Sequence, residues 1–355
     1  MKNILSYSIL SLNILSIIGL SLAIFSYYIN LNILWSLTLF GIFFPILFIL
    51  TAIFTAYYYI YNIKLMWLNI AVLTISTPFM FRYFTINLQQ EKMDGIKIMS
   101  YNVRLFNLYN WIEDKNINNK IFNLSKDEKI DIFCIQEYYK QKNLNQLYKY
   151  SHISLEKNKN WGMAIFSNYE QINTGSISNN TSEKEKICIY SDIKIDMENT
   201  IRVYNIHLQS NYFSIDDRKL INSPYAEKKH LRKGISSITN KLKKSSKIRT
   251  DEINIIKEHI NTSPYPVIIC GDFNDTPMSY AYQQFIKKNN DAFIESGNGM
   301  GGTFFNIPIL RIDYIFYDEN FSSKNFKTYQ NNFSDHKAIS TEIIITNLNQ
   351  KKLDS

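Results

Sequence analysis

Residues 1 to 93 carry only five charged side chains, Lys2, Lys64, Arg82, Glu91 and Lys92, and every other charge of the 355-residue chain lies beyond Met93. Three apolar stretches fill that poorly charged part, at about residues 4 to 29, 33 to 61 and 65 to 84. Crossing a hydrocarbon core takes roughly 20 apolar residues in a helix, and each stretch reaches that length. Helices buried in a soluble core would each carry a polar stripe; these have almost none.

The separators are short and polar, Asn30 and Asn32 in the first, Asn62 and Lys64 in the second, which suits tight turns between antiparallel spans. Pro45 and Pro78 inside the stretches are tolerable in a bilayer. A cleaved signal peptide does not fit, because the first stretch is too long and two more follow. The expected organisation is a membrane anchor of three transmembrane helices over residues 1–86, a linker at 87–95, a catalytic domain at 96–346 and a polar tail at 347–355.

Three crossings put the N-terminus and the domain on opposite sides of what is expected to be a bacterial cytoplasmic membrane. Lys2 and Lys64 fall on one side, Arg82 and Lys92 on the other, so the positive charges tie. Lys2 ahead of the first span favours a cytoplasmic N-terminus and an outward-facing domain. The spans contain no acidic residue, which weighs against a transport path as the main function.

Removing the four basic and one acidic residue of the N-terminal part from totals of 39 and 31 leaves 35 and 30, a modest basic excess suited to a phosphorylated substrate. Cys134, Cys188 and Cys270 are odd in number, widely spaced and set in apolar runs, as expected of buried free thiols. The basic run at 228–233, continued by KLKKSSK, reads as a solvated loop or as a patch for nucleic-acid phosphates or lipid headgroups.

Beyond residue 95, strand-like runs at 96–101, 130–136, 162–167, 187–195, 201–207, 267–270, 312–317 and 338–345 alternate with helical segments such as 246–261, predicting α/β layers. Polar residues fall at the ends of these runs. Asn102 follows KIMSY, Glu137 follows IFCIQ, His207 ends RVYNI, Asp272 and Asn274 follow VIICG, Asp313 lies in LRIDYIF, and Asp335 with His336 precedes KAISTEI. Such groups are costly at packed strand ends unless they serve one another, a metal or a substrate.

At these residues the chain resembles the endonuclease/exonuclease/phosphatase superfamily, through SYNVRLFN, CIQE, WGMAIFS, YNIHLQS, CGDFND, RIDYIF and SDHKAI in that order. The resemblance implies a four-layered α/β sandwich with two mixed β-sheets, preceded here by three transmembrane helices, and hydrolysis of phosphate esters with Mg²⁺ or Mn²⁺. It implies Glu137 as a metal ligand, Asn102 completing the metal environment or holding a phosphate oxygen, Asp335 near the metal, Asp272 activating the attacking water, Asn274 contacting the same phosphate, His207 as a catalytic residue, and His336, oriented by Asp313, on the scissile phosphate. Arg249 and Thr303 are weaker candidates for phosphate contacts.

His152, His230 and His259 lie outside every motif. The machinery reads a phosphoryl group and leaves the rest of the substrate open, nucleic acid or phospholipid headgroup. The favoured reading is a nuclease-like phosphodiesterase, with a phospholipase C-like hydrolase and an inert tethered binding module as alternatives.

Overall fold

In the computed structural model the described residues are 2–29, 36–87, 95–140, 147–179, 186–211 and 228–346. The expected linker, apart from residues 87 and 95, and the whole of the expected tail fall outside them. The chain begins as a bundle of α1 (Lys2–Tyr28), a short α2 (Leu37–Ile42), α3 (Phe44–Tyr61) and α4 (Ile63–Met80). The second apolar stretch is thus broken at Phe43, and Pro45 sits in the first turn of α3, where its missing N–H is harmless. Asn62 caps α4, its side chain accepting from the Leu65 N–H at 3.3 Å.

Segments Ser6–Tyr28, Phe44–Tyr61 and Ile63–Met80 are each long and apolar enough to cross a membrane. Their polarity is inside out. Leu15, Ile53, Ile60, Trp67 and Ile75 are exposed, whereas Asn13, Ser16, Thr51, Asn69 and Ser76 face the bundle interior.

After β1 (Phe84–Thr85) come β2 (Ile96–Asn102), α5 (Ile117–Asp127), β3 (Ile132–Tyr139), β4 (Tyr150–Leu155), β5 (Trp161–Ser167), β6 (Glu170–Ile177), β7 (Cys188–Lys194) and β8 (Thr200–His207). Then follow α6 (Lys228–Asn261), β9 (Val267–Asp272), α7 (Tyr280–Ile286), β10 (Asn290–Asp291), α8 (Ala292–Ser296), β11 (Gly299–Met300), β12 (Asp313–Tyr317), β13 (Phe321–Thr328) and β14 (Ile339–Ile345).

Two six-stranded sheets form, ordered β13-β14-β2-β3-β5-β4 and β10-β12-β9-β8-β7-β6. Each is mixed: β2–β3 and β8–β9 are parallel and the other pairs antiparallel. Ile98, Ile132, Ile165, Val203, Ile268 and Ile315 meet between the sheets. Alternate residues of the first sheet, such as Met99, Phe133 and Phe166, pack outward on Ile121 and Phe122 of α5. Tyr204, Ile269 and Tyr314 of the second pack on Ile253, Ile256 and Phe285 of α6 and α7. The result is the expected four-layered α/β sandwich. Cys134, Cys188 and Cys270 are buried free thiols.

The basic run belongs to the first half of α6, which corrects its reading as a loop. Its lysines have good helix propensity and continue into the amphipathic stretch that packs on the sheet.

The bundle shares a core with this domain. Tyr27, Phe44, Phe79 and Tyr83 pack in one cluster with Phe273, Met278, Ala281, Tyr282 and Tyr314. The ends of α1 and α4 and the start of α3 therefore lie against the domain, and Lys2 and Lys64 stand at the far end of the bundle. Strand β1 pairs with β11, Phe84 opposite Met300 and Thr85 opposite Gly299.

Candidate active site

Asp272 is the centre of the arrangement. It ends β9, and its partners across the sheet are His207 at the end of β8 and Asp313 at the start of β12. The preceding Gly271 has φ +149°, and a Cβ there would stand 2.0 Å from the Ile206 carbonyl oxygen. Only glycine lets the two parallel strands approach so closely near their ends. Gly271→Ala should cost about 1–3 kcal/mol or more of stability, read as a lower thermal midpoint; an unchanged midpoint would refute the packing argument.

The other sheet contributes Asn102 and Glu137. The Asn102 amide nitrogen spans the gap between sheets, donating to Asp272 Oδ2 at 3.0 Å and to Glu137 Oε1 at 3.3 Å. A bulge in the β3–β5 pairing between Ile135 and Tyr138 carries Glu137, whose φ is +51°. The bulge breaks the strand's alternation and presents the carboxylate to the site. Asn274 also has φ +51°. It donates its backbone N–H to Asp272 Oδ1 at 2.9 Å and its side-chain amide to Asp272 Oδ2 and the Leu208 carbonyl, both at 3.1 Å. Both residues thus take the left-handed conformation at the same strand edge.

His336 follows Ser334 and Asp335 on the approach to β14. Its Nδ1 lies 3.0 Å from Asp313 Oδ2 and 3.1 Å from Oδ1, and its Nε2 is 3.6 Å from Asp272 Oδ2. His207 Nε2 stands 3.8 Å from Asp272 Oδ2 and 3.9 Å from Glu137 Oε1. Asp335 is at the rim, its Oδ2 3.4 Å from Arg104 Nε.

Burial works against a charge on His336, but Asp313 and then Asp272 outweigh it and hold the imidazole up to about 10. Burial pushes the Asp272 carboxyl up, the His336 charge pulls it back and Asp313 pushes it again, leaving it at about 7. The pair therefore offers an imidazolium donor beside a carboxylate poised near neutrality.

Asp272, Asp313 and His336 present ligand atoms within 4.8 Å of one another. A protonated imidazole has no lone pair to give a metal, and His336 Nδ1 already faces Asp313. The oxygen donors suited to a hard cation are instead those on the other side of Asp272, Glu137 and the Asn102 amide.

The structure brings Asn102, Glu137, His207, Asp272, Asn274, Asp313, Asp335 and His336 to one strand edge. Arg249 and Thr303 it places behind that edge, both fully buried. Arg249 donates to Asp275 Oδ2 at 3.2 Å, the Gln209 carbonyl at 3.0 Å and Asn211 Oδ1 at 2.9 Å, tying α6 to the loop after β9. The Thr303 hydroxyl accepts from Ile312 N at 3.0 Å and Asp313 N at 3.1 Å. Their hydrogen-bonding groups are spent on the protein, not turned to a substrate.

Comparison with known proteins decides the lineage. A family model described as Endonuclease/Exonuclease/phosphatase family matches residues 99–336, more than half of the chain and every residue of the site. The chain belongs to the endonuclease/exonuclease/phosphatase family. A second model, described as a domain of unknown function (DUF8431), matches residues 5–83, the bundle. Comparison with curated proteins gives no match.

Solved structures with this fold include an endonuclease/exonuclease/phosphatase family protein from Bacteroides thetaiotaomicron, 17% identical, TM-score 0.53, covering 73% of this chain and 100% of that one. A mannosyl-6-phosphatase from the same organism is 16% identical, TM-score 0.50, covering 71% and 100%. The Neisseria 3′ phosphatase NExo, bound to product DNA hairpin, is 16% identical, TM-score 0.50, covering 70% and 100%. At these identities the likeness speaks for the fold, and family membership supports a phosphoester hydrolase.

Several residues of this family site carried no role in the sequence. Gln136 is buried between the sheets, its amide donating to Asn205 Oδ1 at 2.7 Å and Ser100 Oγ at 3.1 Å, and so braces the strand that carries Glu137. The Ser334 hydroxyl donates to the Asn102 carbonyl at 2.8 Å, joining the first and last motifs. Arg104 packs over Trp111 at 4.2 Å while facing Asp335. Each lies within or beside a motif, so position was the available signal; the partners were not.

Proposed function

We propose that this protein is a membrane-anchored, divalent-metal-dependent phosphoesterase, a nuclease-like phosphodiesterase that breaks phosphodiester bonds with an activated water. The observation that carries the reading is one strand edge where the buried Asp272 carboxylate, held by the Asn102 amide at 3.0 Å, lies 3.6 Å from the His336 imidazole, whose Nδ1 faces Asp313 at 3.0 Å. Asp272 takes a proton from the attacking water as the new P–O bond forms and the ester P–O bond breaks, the leaving oxygen departing with the bond's electron pair and taking its proton from solvent. His336 offers its Nε2 proton to a phosphoryl oxygen as charge builds there. Asn274 and His207 flank Asp272 from the same edge and complete the phosphate's surroundings.

The residues fit a hard cation. Glu137 has a carboxylate side chain 32% exposed at the rim, and the Asn102 amide lies between it and Asp272; Asp335 stands beside them opposite Arg104. Mg²⁺ or Mn²⁺ bound there supplies charge neutralisation on the phosphoryl oxygens. Glu137→Gln in the full-length chain is expected to abolish Mn²⁺ binding and reduce hydrolysis of bis(p-nitrophenyl) phosphate by about 10²-fold or more. Full metal-dependent activity in that variant would overturn the assignment.

A pH dependence follows with a definite sign. Burial holds Asp272 up at about 7, so the base form is lost as pH falls through that value. A bound dication would pull the value down, so the acid limb of kcat/KM should lie at or below about 7. Asp272→Asn should remove it. A limb that survives in Asp272→Asn belongs to another group.

The inside-out bundle supports a multi-pass membrane protein, since apolar side chains face out and polar ones in. Tyr57, Tyr59 and Tyr61, at the end of α3 away from the domain, suit a headgroup boundary. Lys2 favours a domain facing away from the cytoplasm. The bundle end also rests on loops that build the site, which favours a second reading, a phospholipase C-like hydrolase acting on a lipid headgroup at the bilayer surface.

A further inference from the structure

Segment 299–312 runs from α8 to the site and carries Thr303 behind it. Besides holding the Ile312 and Asp313 N–H groups on its hydroxyl, Thr303 accepts from the Lys337 N–H at 2.7 Å, and Phe305 donates its N–H to the Asp335 carbonyl at 2.7 Å. One segment thus sets the backbone on both sides of the Asp313–His336 pair. Phe304 bridges to His336 and presents its ring edge-on to the imidazole, with centroids 5.5 Å apart.

What holds that segment comes from the other end of the molecule. Tyr83 accepts from the Gly301 N–H at 2.9 Å, Phe84 and Thr85 pair with Met300 and Gly299, and the Thr85 hydroxyl donates to the Gly297 carbonyl at 2.9 Å. At the far end of the segment, Arg311 Nη1 donates to the Arg82 carbonyl at 3.0 Å and Nη2 to Asp291 Oδ1 at 2.5 Å. Arg311 is fully buried two residues before Asp313, so it has no solvent to turn to if the Arg82 carbonyl moves.

Arg82 is itself fixed. Its guanidinium lies 4.2 Å from the Tyr27 ring centroid, 4.7 Å from that of Phe79 and 5.3 Å from that of Tyr282, and donates to the Pro277 carbonyl at 3.2 Å. Tyr27 and Phe79 belong to the bundle; Tyr282 and Pro277 belong to the elements that follow Asp272. Both halves of the site, the Asp272 loop and the Asp313–His336 pair, therefore converge on the four residues that leave the last apolar helix.

We propose that residues 82–85 are a positioning element of the active site, with Arg82 as its keystone, so that the docked bundle sets the geometry of Asp313 and His336. None of these residues touches the reacting atoms. The proposal rests on the roles given above to Asp313 and His336.

The test uses the full-length chain in lipid nanodiscs, comparing wild type with Arg82→Ala, Arg82→Lys and Thr85→Val. Amide hydrogen exchange is followed over 301–312, 334–338 and, as reference, 96–102; kcat and KM are measured on bis(p-nitrophenyl) phosphate with Mn²⁺. Arg82→Ala is expected to speed exchange in the first two segments and not in the third. It should lower kcat per folded molecule on the order of 10- to 100-fold with KM within about twofold, and Arg82→Lys, which keeps a cation and a donor, should recover most of the loss.

Unchanged exchange in 301–312 and 334–338 overturns the proposal, as does a uniform rise in all three segments with kcat per folded molecule unaltered. If Arg82→Ala does not fold, Thr85→Val, which deletes one hydroxyl bond at constant shape, decides by the same localised pattern. If wild type leaves the probe intact, the phosphoesterase reading is what fails, and exchange alone still accepts or rejects the positioning.

Discussion

His336→Ala is expected to lower kcat by roughly 10²- to 10³-fold, and Asp313→Asn should fall to within about tenfold of it. The imidazole is charged despite burial because Asp313, 3.0 Å from Nδ1, and Asp272 outweigh the cost of desolvation. Replacing Asp313 by asparagine keeps the shape and removes the larger of those two attractions. The imidazole then loses its charge toward neutral pH, and its ring loses the partner that fixes its tautomer. Both variants should fold, since the sheet register around Asp272 rests on backbone bonds. Wild-type kcat in Asp313→Asn beside a crippled His336→Ala would show that the carboxylate does not set the imidazole's charge.

Excising residues 1–93 should leave no stable soluble domain. The cut removes Tyr27, Phe44, Phe79 and Tyr83 from the cluster they share with Phe273, Met278, Ala281, Tyr282 and Tyr314. Each large side chain so uncovered forfeits about 1.5–3 kcal/mol, and a domain's whole stability is only about 5–15 kcal/mol. Strand β11 loses its partner, and the buried Arg311 loses the Arg82 carbonyl. Size-exclusion chromatography and circular dichroism of residues 94–355 are expected to show aggregation or a collapsed thermal midpoint. A monodisperse, cooperatively melting product would show that the docking contributes little.

That docking was the part least legible in the sequence. Reading residues 87–95 as a linker follows from their polarity, yet just before them Arg82, Tyr83 and Thr85 are committed to the domain through contacts more than 200 positions away. Nothing local in FRYFTIN announces such partners. The apolar helices were legible because a bilayer demands composition and length alone, and the break at Phe43 is the one detail that needed Pro45 to be weighed as a helix start.

Within the domain the central strands were found nearly to their ends, because they are buried on both faces and read as continuous apolar runs. Strands β4, β6 and β13 were not, and each lies at an edge, β4 and β13 at the two edges of one sheet and β6 at one edge of the other. YSHISL, EQINTGSI and FSSKNFKT carry the polar residues that edges use to discourage pairing with other chains. The same polarity hides them from a search for apolar runs.

The eight strand-end residues were legible because a polar group at the end of a buried run has few uses other than a shared site. Arg249 and Thr303 show the limit of that signal: residue type suggested phosphate contacts, while burial and hydrogen bonding assign them to the Asp275 loop and to the Asp313 backbone.

The most direct test is hydrolysis by the full-length chain in lipid nanodiscs with Mg²⁺ or Mn²⁺, with and without a chelator, on plasmid DNA, RNA and sphingomyelin vesicles, with His336→Ala as control. Chelator-sensitive cleavage of a phosphodiester in one of these, lost in His336→Ala, is the predicted result. Cleavage that persists in the chelator, or in His336→Ala at the wild-type rate, would contradict a metal-dependent phosphoesterase built on this site.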